Sequence, residues 1–228
     1  MNISVKKLEK KYPEFQLGPL NFEWEQGQNI VIIGGNGAGK STLFQILTGQ
    51  KSYDCGQVYI NKQQMTTHSH ELKKSIGYLP QNLTLPPWST PLEVLNYVRH
   101  LHSSKQSANE LLKIWDCHEF ANKPLNMCSH GMHKRVGLAL CTIHDPSILI
   151  LDEPFSGLDL YHLKTLHQLL EARHSQGLMT ILATHIAPYA ARYAQQAWHM
   201  NQGSLTQVKT WPTLTTDKKI TLMEETFS

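Results

Sequence analysis

The segment that most constrains this chain is a glycine-rich loop between a short apolar strand and a helix-forming stretch. The loop, residues 34–42, reads Gly-Gly-Asn-Gly-Ala-Gly-Lys-Ser-Thr and follows the largely apolar residues 29–33. Its spacing fits G-x-x-x-x-G-K-[ST] in the strand–loop–helix context that this motif requires. Glycines let successive backbone N–H groups point at phosphate oxygens, and the following helix presents its positive end. The loop therefore predicts a site for a nucleoside triphosphate.

Two side chains in the loop carry specific chemistry. The Lys40 ammonium can reach the outer phosphates, and the Ser41 hydroxyl can bind Mg²⁺. The candidate ligands of the triphosphate are Gly34, Gly35, Asn36, Gly37, Ala38, Gly39, Lys40, Ser41 and Thr42.

A second apolar strand ends in two acids. Residues 148–151 read Ile-Leu-Ile-Leu and are followed by Asp152 and Glu153. At the carboxyl end of a parallel strand, Asp152 can hold Mg²⁺ through its water shell and Glu153 can polarise an attacking water. An apolar strand followed by Asp-Glu is weak evidence alone, but it is strong evidence beside a phosphate loop.

Charge and hydropathy exclude several classes of protein. The 228 residues carry a formal net charge of +3, without a basic stripe, so no nucleic-acid partner is expected. The N-terminus lacks the apolar core of a signal peptide, and no apolar run approaches the roughly 20 residues that span a bilayer. The sequence predicts a soluble chain in the cytosol.

The cysteines and histidines do not predict a metal centre. The four cysteines show no C-x-x-C spacing, and reduced, mostly buried thiols are the expected state. The 13 histidines include two i,i+2 pairs, which do not share a helical face, and no further ligand completes a zinc set.

Periodicity along the chain alternates between strand and helix. Residues 20–25 alternate apolar and polar, and residues 57–60, 75–79, 147–151 and 178–182 are further strand candidates. Helical patterns cover 91–98, where Thr90 is the expected cap, then 107–115, where Ser107 and Glu110 form a capping-box pattern, and 161–175. This alternation indicates an α/β core with a mainly parallel sheet, into which a helical block of about 88–130 is inserted.

Together with further short motifs, these residues resemble the nucleotide-binding subunit of an ATP-binding cassette (ABC) transporter. Gln81, residues 128–132, residues 156–159 and His185 match the family's Q-loop, signature, D-loop and switch histidine in order. The resemblance covers residues 1–208. It implies an α/β fold: a P-loop NTPase core with a mainly parallel sheet, an N-terminal antiparallel β subdomain and the inserted α-helical subdomain. The tail 209–228 is left unassigned.

The resemblance also implies roles for individual residues. Tyr12 would stack on adenine, although Phe15 is a rival for that role. Gln81 would approach Mg²⁺ and sense a membrane partner, and Asp159 of the D-loop would join the nucleotide site. ATP and Mg²⁺ are the implied cofactors. The implied catalytic residues are Glu153, His185 and Lys40; the implied metal ligands are Ser41, Gln81 and Asp152; and the implied nucleotide contacts outside the loop are Tyr12, Gln81, Ser129, Gly131 and Asp159.

The signature departs from the family's common form, Leu-Ser-Gly-Gly-Gln. Ser129 and Gly131 remain, and they supply a hydroxyl donor and a close backbone approach at a helix N-terminus. His130 and Met132 replace Gly and Gln. The variant, with its basic continuation, resembles export-type members and is expected to function. The alternative is a weakened half-site in an asymmetric heterodimer.

The resemblance implies a two-chain cycle in which each ATP lies between the phosphate loop of one chain and the signature of another. The expected partners are transmembrane permease subunits and a second nucleotide-binding subunit, most simply a second copy of this chain. The expected location is the inner face of the cell membrane, as a peripheral subunit, and export is the expected direction. Alternatives are an import-type subunit, a soluble ABC-type ATPase acting on ribosomes or DNA, and a regulatory subunit that hydrolyses ATP poorly.

Overall fold

The fold was analysed in a computed structural model, which describes residues 1–227, with side chains described to residue 225. The strands are β1 (Ile3–Lys11), β2 (Gln16–Trp24), β3 (Asn29–Ile33), β4 (Cys55–Ile60), β5 (Gln63–Gln64), β6 (Ile76–Leu79), β7 (Ile148–Asp152), β8 (Met179–Ala183), β9 (Gln196–Asn201) and β10 (Ser204–Gln207). The α-helices are α1 (Lys40–Leu47), α2 (His70–Lys73), α3 (Pro91–Leu101), α4 (Ala108–Ile114), α5 (His130–Thr142), α6 (Leu160–Ser175), α7 (Ala187–Tyr193) and α8 (Thr216–Phe227). Short 3-10 helices cover His118–Phe120, Leu125–Met127 and Trp211–Thr213.

The N-terminal strands form the expected antiparallel subdomain. Its four-stranded sheet has the order β2-β1-β4-β5, and every neighbouring pair is antiparallel. The later part of β2 alternates buried and exposed residues, so that Leu20, Phe22 and Trp24 face the core. One face of this sheet therefore covers the nucleotide-binding half of the core.

The second sheet forms the centre of the molecule. Its six strands have the order β10-β9-β3-β8-β7-β6, parallel throughout except for the edge strand β10. All residues of β3, β7 and β8 are buried, as expected for strands covered on both faces. Because β3, β7 and β8 are parallel, the phosphate loop, Asp152 and Thr184 all emerge from the same edge of the sheet.

The inserted helical block begins as the sequence predicts. Thr90 accepts a hydrogen bond from the Glu93 N–H at 3.3 Å, and the Glu93 carboxylate accepts one from the Thr90 N–H at 2.8 Å, a complete capping box. Leu95, Leu112 and Trp115 are buried in the core of the block. The Ser107 hydroxyl likewise accepts from the Glu110 N–H, at 3.4 Å.

The segment after residue 208, unassigned from sequence, packs against the core. Trp211 is fully buried, and its indole N–H donates to the Ala194 carbonyl at 2.9 Å. Met223 of α8 is also fully buried. Trp211 and Met223 anchor this segment, although its mostly polar sequence did not predict that it packs against the core.

Two stacked histidines link the end of α3 to the loop before β7. The His102 and His144 rings lie 4.1 Å apart at 28°, and the Nδ1 atoms of both have no hydrogen-bond partner among the described residues. His144 Nε2 lies 3.2 Å from the Ile76 carbonyl, so a neutral ring donates there. Burial, with His102 beside it, lowers the pKa of His144 to about 4.

We expect this pair to make stability depend on pH. The pKa of His144 is lower in the folded chain than in the unfolded chain, so the unfolded state binds more protons. The free energy of unfolding is therefore highest above about pH 6.5 and falls as the pH drops toward 4, by about 1–2 kcal/mol from this ring after allowance for its partial exposure. Urea unfolding of wild type and His144→Gln, which keeps a donor for Ile76, should show a shallower decline in the variant. Identical declines would refute this role.

The structure also bears on membrane segments, metal clusters and thiols. Among residues 1–227, no helix has the length and apolarity needed to cross a membrane. In the same part of the chain, no cluster of three or more His, Cys, Asp or Glu side chains is arranged to hold a metal ion. All four cysteines are free thiols, and Cys117 and Cys141 are buried whereas Cys55 is exposed.

Candidate nucleotide site

The phosphate loop leaves β3 and enters α1 through glycines whose conformations side chains disfavour. Gly37 has a φ of 76° and Gly39 a φ of 112°. A Cβ on Gly39 would lie 2.9 Å from the Phe15 ring, and one on Gly34 would lie 2.1 Å from the Met200 carbonyl oxygen. These positions therefore require glycine. Because Gly39 is the N-cap of α1, no side chain occupies the start of that helix.

Lys40 folds back over its own loop. Its ammonium donates to the Gly34 carbonyl at 2.7 Å and to the Gly35 carbonyl at 2.9 Å. Burial lowers the pKa of Lys40, and the charges of Glu153 and Asp152 oppose that shift. The ammonium is thus held beside the loop by neutral acceptors, which an anionic phosphate can replace with a stronger bond.

Ser41 and Asp152 bring two oxygen ligands together. The Ser41 hydroxyl donates to Asp152 Oδ2 at 2.5 Å, and Asp152 is 1 % exposed. Burial raises the pKa of Asp152, and the Ser41 hydrogen bond acts in the opposite direction. A hydroxyl and a carboxylate are ligands that Mg²⁺ favours, so the pair fits a magnesium site.

Glu153 and His185 meet across the ends of β7 and β8. His185 Nδ1 lies 2.9 Å from Glu153 Oε2, and the His185 backbone N–H donates to the same oxygen at 3.4 Å. Glu153 is 8 % exposed and has a φ of 51°, a conformation that costs energy for a non-glycine residue. Its own N–H donates to the Ala183 carbonyl at 2.8 Å, which holds the strained backbone in place.

One cavity of about 180 Å³ unites most of the predicted residues. It is lined by Phe15, Asn36, Gly37, Ala38, Gly39, Lys40, Ser41, Thr42, Gln81, Asp152 and Glu153.

The aromatic residue at this cavity is Phe15 rather than Tyr12. Tyr12 lies behind it, with ring centroids 6.1 Å apart, and its hydroxyl accepts from the Lys51 ammonium at 3.0 Å. The stacking of Tyr12 on adenine stays a prediction, and its rival Phe15 has the position nearer to the loop.

The signature and D-loop residues form a second cluster. Neither Ser129, Gly131 nor Asp159 is among the described residues that line the phosphate cavity. Ser129 caps α5 and accepts from the Met132 N–H at 3.2 Å, and Asp159 caps α6 and accepts from the His162 N–H at 3.0 Å. On one chain, the signature and D-loop residues thus lie apart from the phosphate cavity.

A glycine-rich loop at the switch from strand to helix, with an acidic strand end beside it, defines a P-loop nucleoside-triphosphatase. Comparison with known proteins narrows the class. A family model described as "ABC transporter" matches residues 17–156. The chain belongs to the ABC transporter family, as an ATP-binding subunit with ATPase activity that uses ATP and Mg²⁺.

Two relatives show the extent of the match. The "Probable sulfate/thiosulfate import ATP-binding protein CysA" of Chlorella vulgaris is 31 % identical over 91 % of this chain and 91 % of its own length. The "Sulfate/thiosulfate import ATP-binding protein CysA" of Halalkalibacterium halodurans is 27 % identical over 91 % of this chain but only 61 % of its own length. Some relatives therefore extend well beyond the region matched here.

Solved structures agree on the fold. A chain titled "Structure of ATP binding subunit of ABC transporter" aligns with a TM-score of 0.84 at 22 % identity, over 98 % of this chain and all of that one. The ATP-binding cassette MJ0796, solved as a dimer in a post-hydrolysis state with ADP and Pi, aligns with a TM-score of 0.79 at 26 % identity. That alignment covers 89 % of this chain and 96 % of the MJ0796 chain. The predicted fold class is confirmed.

Sequence reasoning missed some residues of both clusters. It named Phe15 only as a rival, and it gave no role to His162, which is 5 % exposed and bonded to Asp159. Both Tyr12 and Phe15 precede β2, and nothing in the sequence shows which of the two rings reaches the cavity. No pattern marked His162, because its second partner, Arg135, lies 27 residues away in the chain.

Proposed function

We propose that this chain is the ATP-hydrolysing subunit of a membrane transporter and that it works as a dimer enclosing two ATP molecules. The observation that carries the proposal is the division of the site into two clusters. The phosphate loop, Asp152 and Glu153 share one cavity, whereas Ser129 and Gly131 lie outside it. Each cluster is held together by hydrogen bonds of its own, such as Ser41 to Asp152 in the first and the Met132 N–H to Ser129 in the second. We propose that a second chain brings its signature residues to the nucleotide in the cavity of the first. A second copy of this chain is the simplest such partner.

The proposed catalytic residues act through charge and proton transfer. The Lys40 ammonium exchanges its bonds to the loop carbonyls for the outer phosphate and neutralises charge there. Glu153 orients the attacking water and accepts its proton, and His185 holds Glu153 while it contacts the outer phosphate. Mg²⁺, when bound, supplies Lewis-acid polarisation of the phosphate oxygens, and Ser41, Asp152 and Gln81 would hold it.

Two observations bear on the direction of transport, export or import. The variant signature resembles export-type subunits, which favours export. The relatives described above carry import in their names, so import fits the comparisons at least as well. The chain is proposed as a transport subunit, with its substrate set by the membrane partner.

The proposed domain layout gives the membrane partner a surface to bind. The ATPase domain covers 1–208, with the helical subdomain at about 88–130 inserted. Trp88 is 78 % exposed and Met127 is also exposed. Backbone bonds hold their loops together, from the Leu125 N–H to the Ser89 carbonyl and from the Asn126 N–H to the Pro87 carbonyl, both at 2.9 Å. Trp88 and Met127 are thus exposed apolar side chains on two loops that are bonded to each other, and we propose that they contact transmembrane permease subunits at the inner face of the membrane.

Affinity capture from detergent-solubilised membranes tests this assignment. We expect the tagged full chain to retain a multi-span membrane protein, and Trp88→Ala to retain at least several-fold less, since buried aromatic anchors dominate interface energy. Ile114→Ala, an exposed apolar position elsewhere in the helical block, is the matched control and should retain the wild-type amount. Capture of ribosomes or DNA without a membrane protein would favour the soluble ATPase instead.

A further inference from the structure

A buried histidine joins the D-loop to the signature helix α5. His162 lies in the first turn of α6 and is 5 % exposed. Its Nδ1 is 2.7 Å from Asp159 Oδ1, and its Nε2 is 3.1 Å from Nη1 of Arg135 in α5. We call this arrangement the Asp159–His162–Arg135 chain. It connects Asp159 of the D-loop to Arg135, which lies three residues after the signature on the same helix, α5.

The partners fix the tautomer of His162. A guanidinium can only donate, so Nε2 must accept from Arg135 and the ring proton must be on Nδ1. Nδ1–H then donates to the Asp159 carboxylate, which also accepts from the His162 backbone N–H at 3.0 Å. Both ring nitrogens therefore have a hydrogen-bond partner in this tautomer. The backbone bond, followed by the side-chain bond, holds the pKa of Asp159 below its usual range.

Arg135 is anchored in turn to the helical block. Its Nη1 is 2.6 Å from the Asp116 carbonyl, 3.2 Å from Asp116 Oδ2 and 3.3 Å from the Trp115 carbonyl. The guanidinium lies 5.0 Å from the centre of the Phe120 ring. A guanidinium held by several groups has little freedom, so it sets the position of the His162 ring.

The two motifs also touch through their backbones. A Cβ on Gly131 would lie 3.1 Å from the Gly157 carbonyl oxygen, and one on Gly157 would lie 3.2 Å from the His130 ring. The start of α5 and the turn before α6 therefore lie in close contact. A change in the angle of α6 would therefore displace the start of α5, where Ser129 lies.

We propose that His162 is a positioning residue that fixes Asp159 against the signature helix, so that Ser129, Gly131 and Asp159 reach a second chain's nucleotide as one rigid unit. This inference rests on the proposed two-chain site. In this inference, His162 serves the nucleotide that is bound to the phosphate loop of the second chain, not the nucleotide on the loop of its own chain. Replacement of His162 should therefore impair dimer closure but leave the binding of ATP to a single chain intact.

Three variants of the full chain separate the two bonds of the ring. His162→Asn places an amide N–H near Nδ1 and keeps the donor to Asp159, whereas His162→Gln can place an oxygen near Nε2 and keeps the acceptor for Arg135. His162→Leu loses both. His174→Asn, an exposed histidine on the same helix, is the matched control.

The variants are made in a Glu153→Gln background, and the ATP concentration that gives half-maximal dimer is measured by sedimentation. We expect an increase of about tenfold for His162→Leu and about three- to fivefold for each amide variant, as the loss of two bonds or one predicts. The affinity of dilute, monomeric chains for a fluorescent ATP analogue should stay within about twofold, because His162 does not line the phosphate cavity of its own chain. Unchanged dimerisation in His162→Leu, with a dimerising parent, would overturn this inference alone. A parent that stays monomeric would overturn the proposed function.

Nuclear magnetic resonance gives a test that does not depend on dimerisation. The ¹⁵N shifts of the His162 ring should show a protonated Nδ1 and an unprotonated Nε2 at neutral pH, and Arg135→Met should remove that preference. A proton on Nε2 in the wild-type chain would contradict the Asp159–His162–Arg135 chain.

Discussion

Glu153→Gln should lower the ATP turnover of this chain by about 10²- to 10³-fold while leaving ATP bound. The amide keeps the shape of the carboxylate and can still contact His185, but it cannot accept the proton of an attacking water. The neighbouring carboxylate, Asp152, is not placed to take over this role, because it is buried and already accepts a hydrogen bond from the Ser41 hydroxyl.

Steady-state phosphate release and equilibrium ATP binding measure the two halves of this prediction. Glu119→Gln, an exposed glutamate of the helical block, is the control and should keep wild-type turnover. A Glu153→Gln chain that hydrolyses ATP at even a tenth of the wild-type rate would remove Glu153 from the role of general base.

Lys40→Met should weaken ATP binding by about 10- to 100-fold, the value of one charge-assisted hydrogen bond, and should reduce hydrolysis further. The methionine fills the space of the lysine stem but offers no cation to the outer phosphate. Two acids stand beside the loop, so removal of Lys40 also leaves their negative charge uncompensated. The loss should be larger for ATP than for ADP, because the ammonium acts on the outer phosphates.

Isothermal titration with ATP and ADP in the presence of Mg²⁺ measures this difference. Lys164→Met on the exposed face of α6 controls for a general loss of positive charge. Equal weakening of both nucleotides would show that Lys40 stabilises the loop rather than the outer phosphate.

The parts of the site that could be predicted are those whose chemistry is local in sequence. The phosphate loop carries its strand, its glycines and its helix start within a few residues, so Lys40 and Ser41 could be assigned from spacing alone. Asp152 follows from the rule that the ends of parallel strands share one edge, and its 2.5 Å bond to Ser41 confirms that placement.

The parts that could not be predicted depend on distant contacts. The position of β9 between β3 and β10 is set by pairing across the whole sheet, and its sequence has no long apolar run. Phe15 lies at the cavity because β1 and β2 fold over the loop, which their alternation alone does not show. His162 contacts α5 only because the start of α6 lies beside Arg135, 27 residues earlier in the chain.

The direction of transport had a different basis. It came from Ser129, His130, Gly131 and Met132 through resemblance, without a physical argument that links those residues to export. In the proposed function, the pathway for substrate lies in the membrane partner. The chemistry of this chain therefore fixes the ATPase and leaves direction to its partner.

In the proposed function, this chain holds half of each ATP site and a second chain completes it. Sedimentation velocity of Glu153→Gln with saturating ATP shows whether two chains come together around the nucleotide. We expect the 25.9 kDa monomer to convert to a species of twice that mass with ATP, and to remain monomeric with ADP or without nucleotide. Ser129→Asp in the same background should prevent the conversion, because it places a negative charge at the second chain's phosphates. A Glu153→Gln chain that binds ATP and stays at the monomer mass would contradict the shared site.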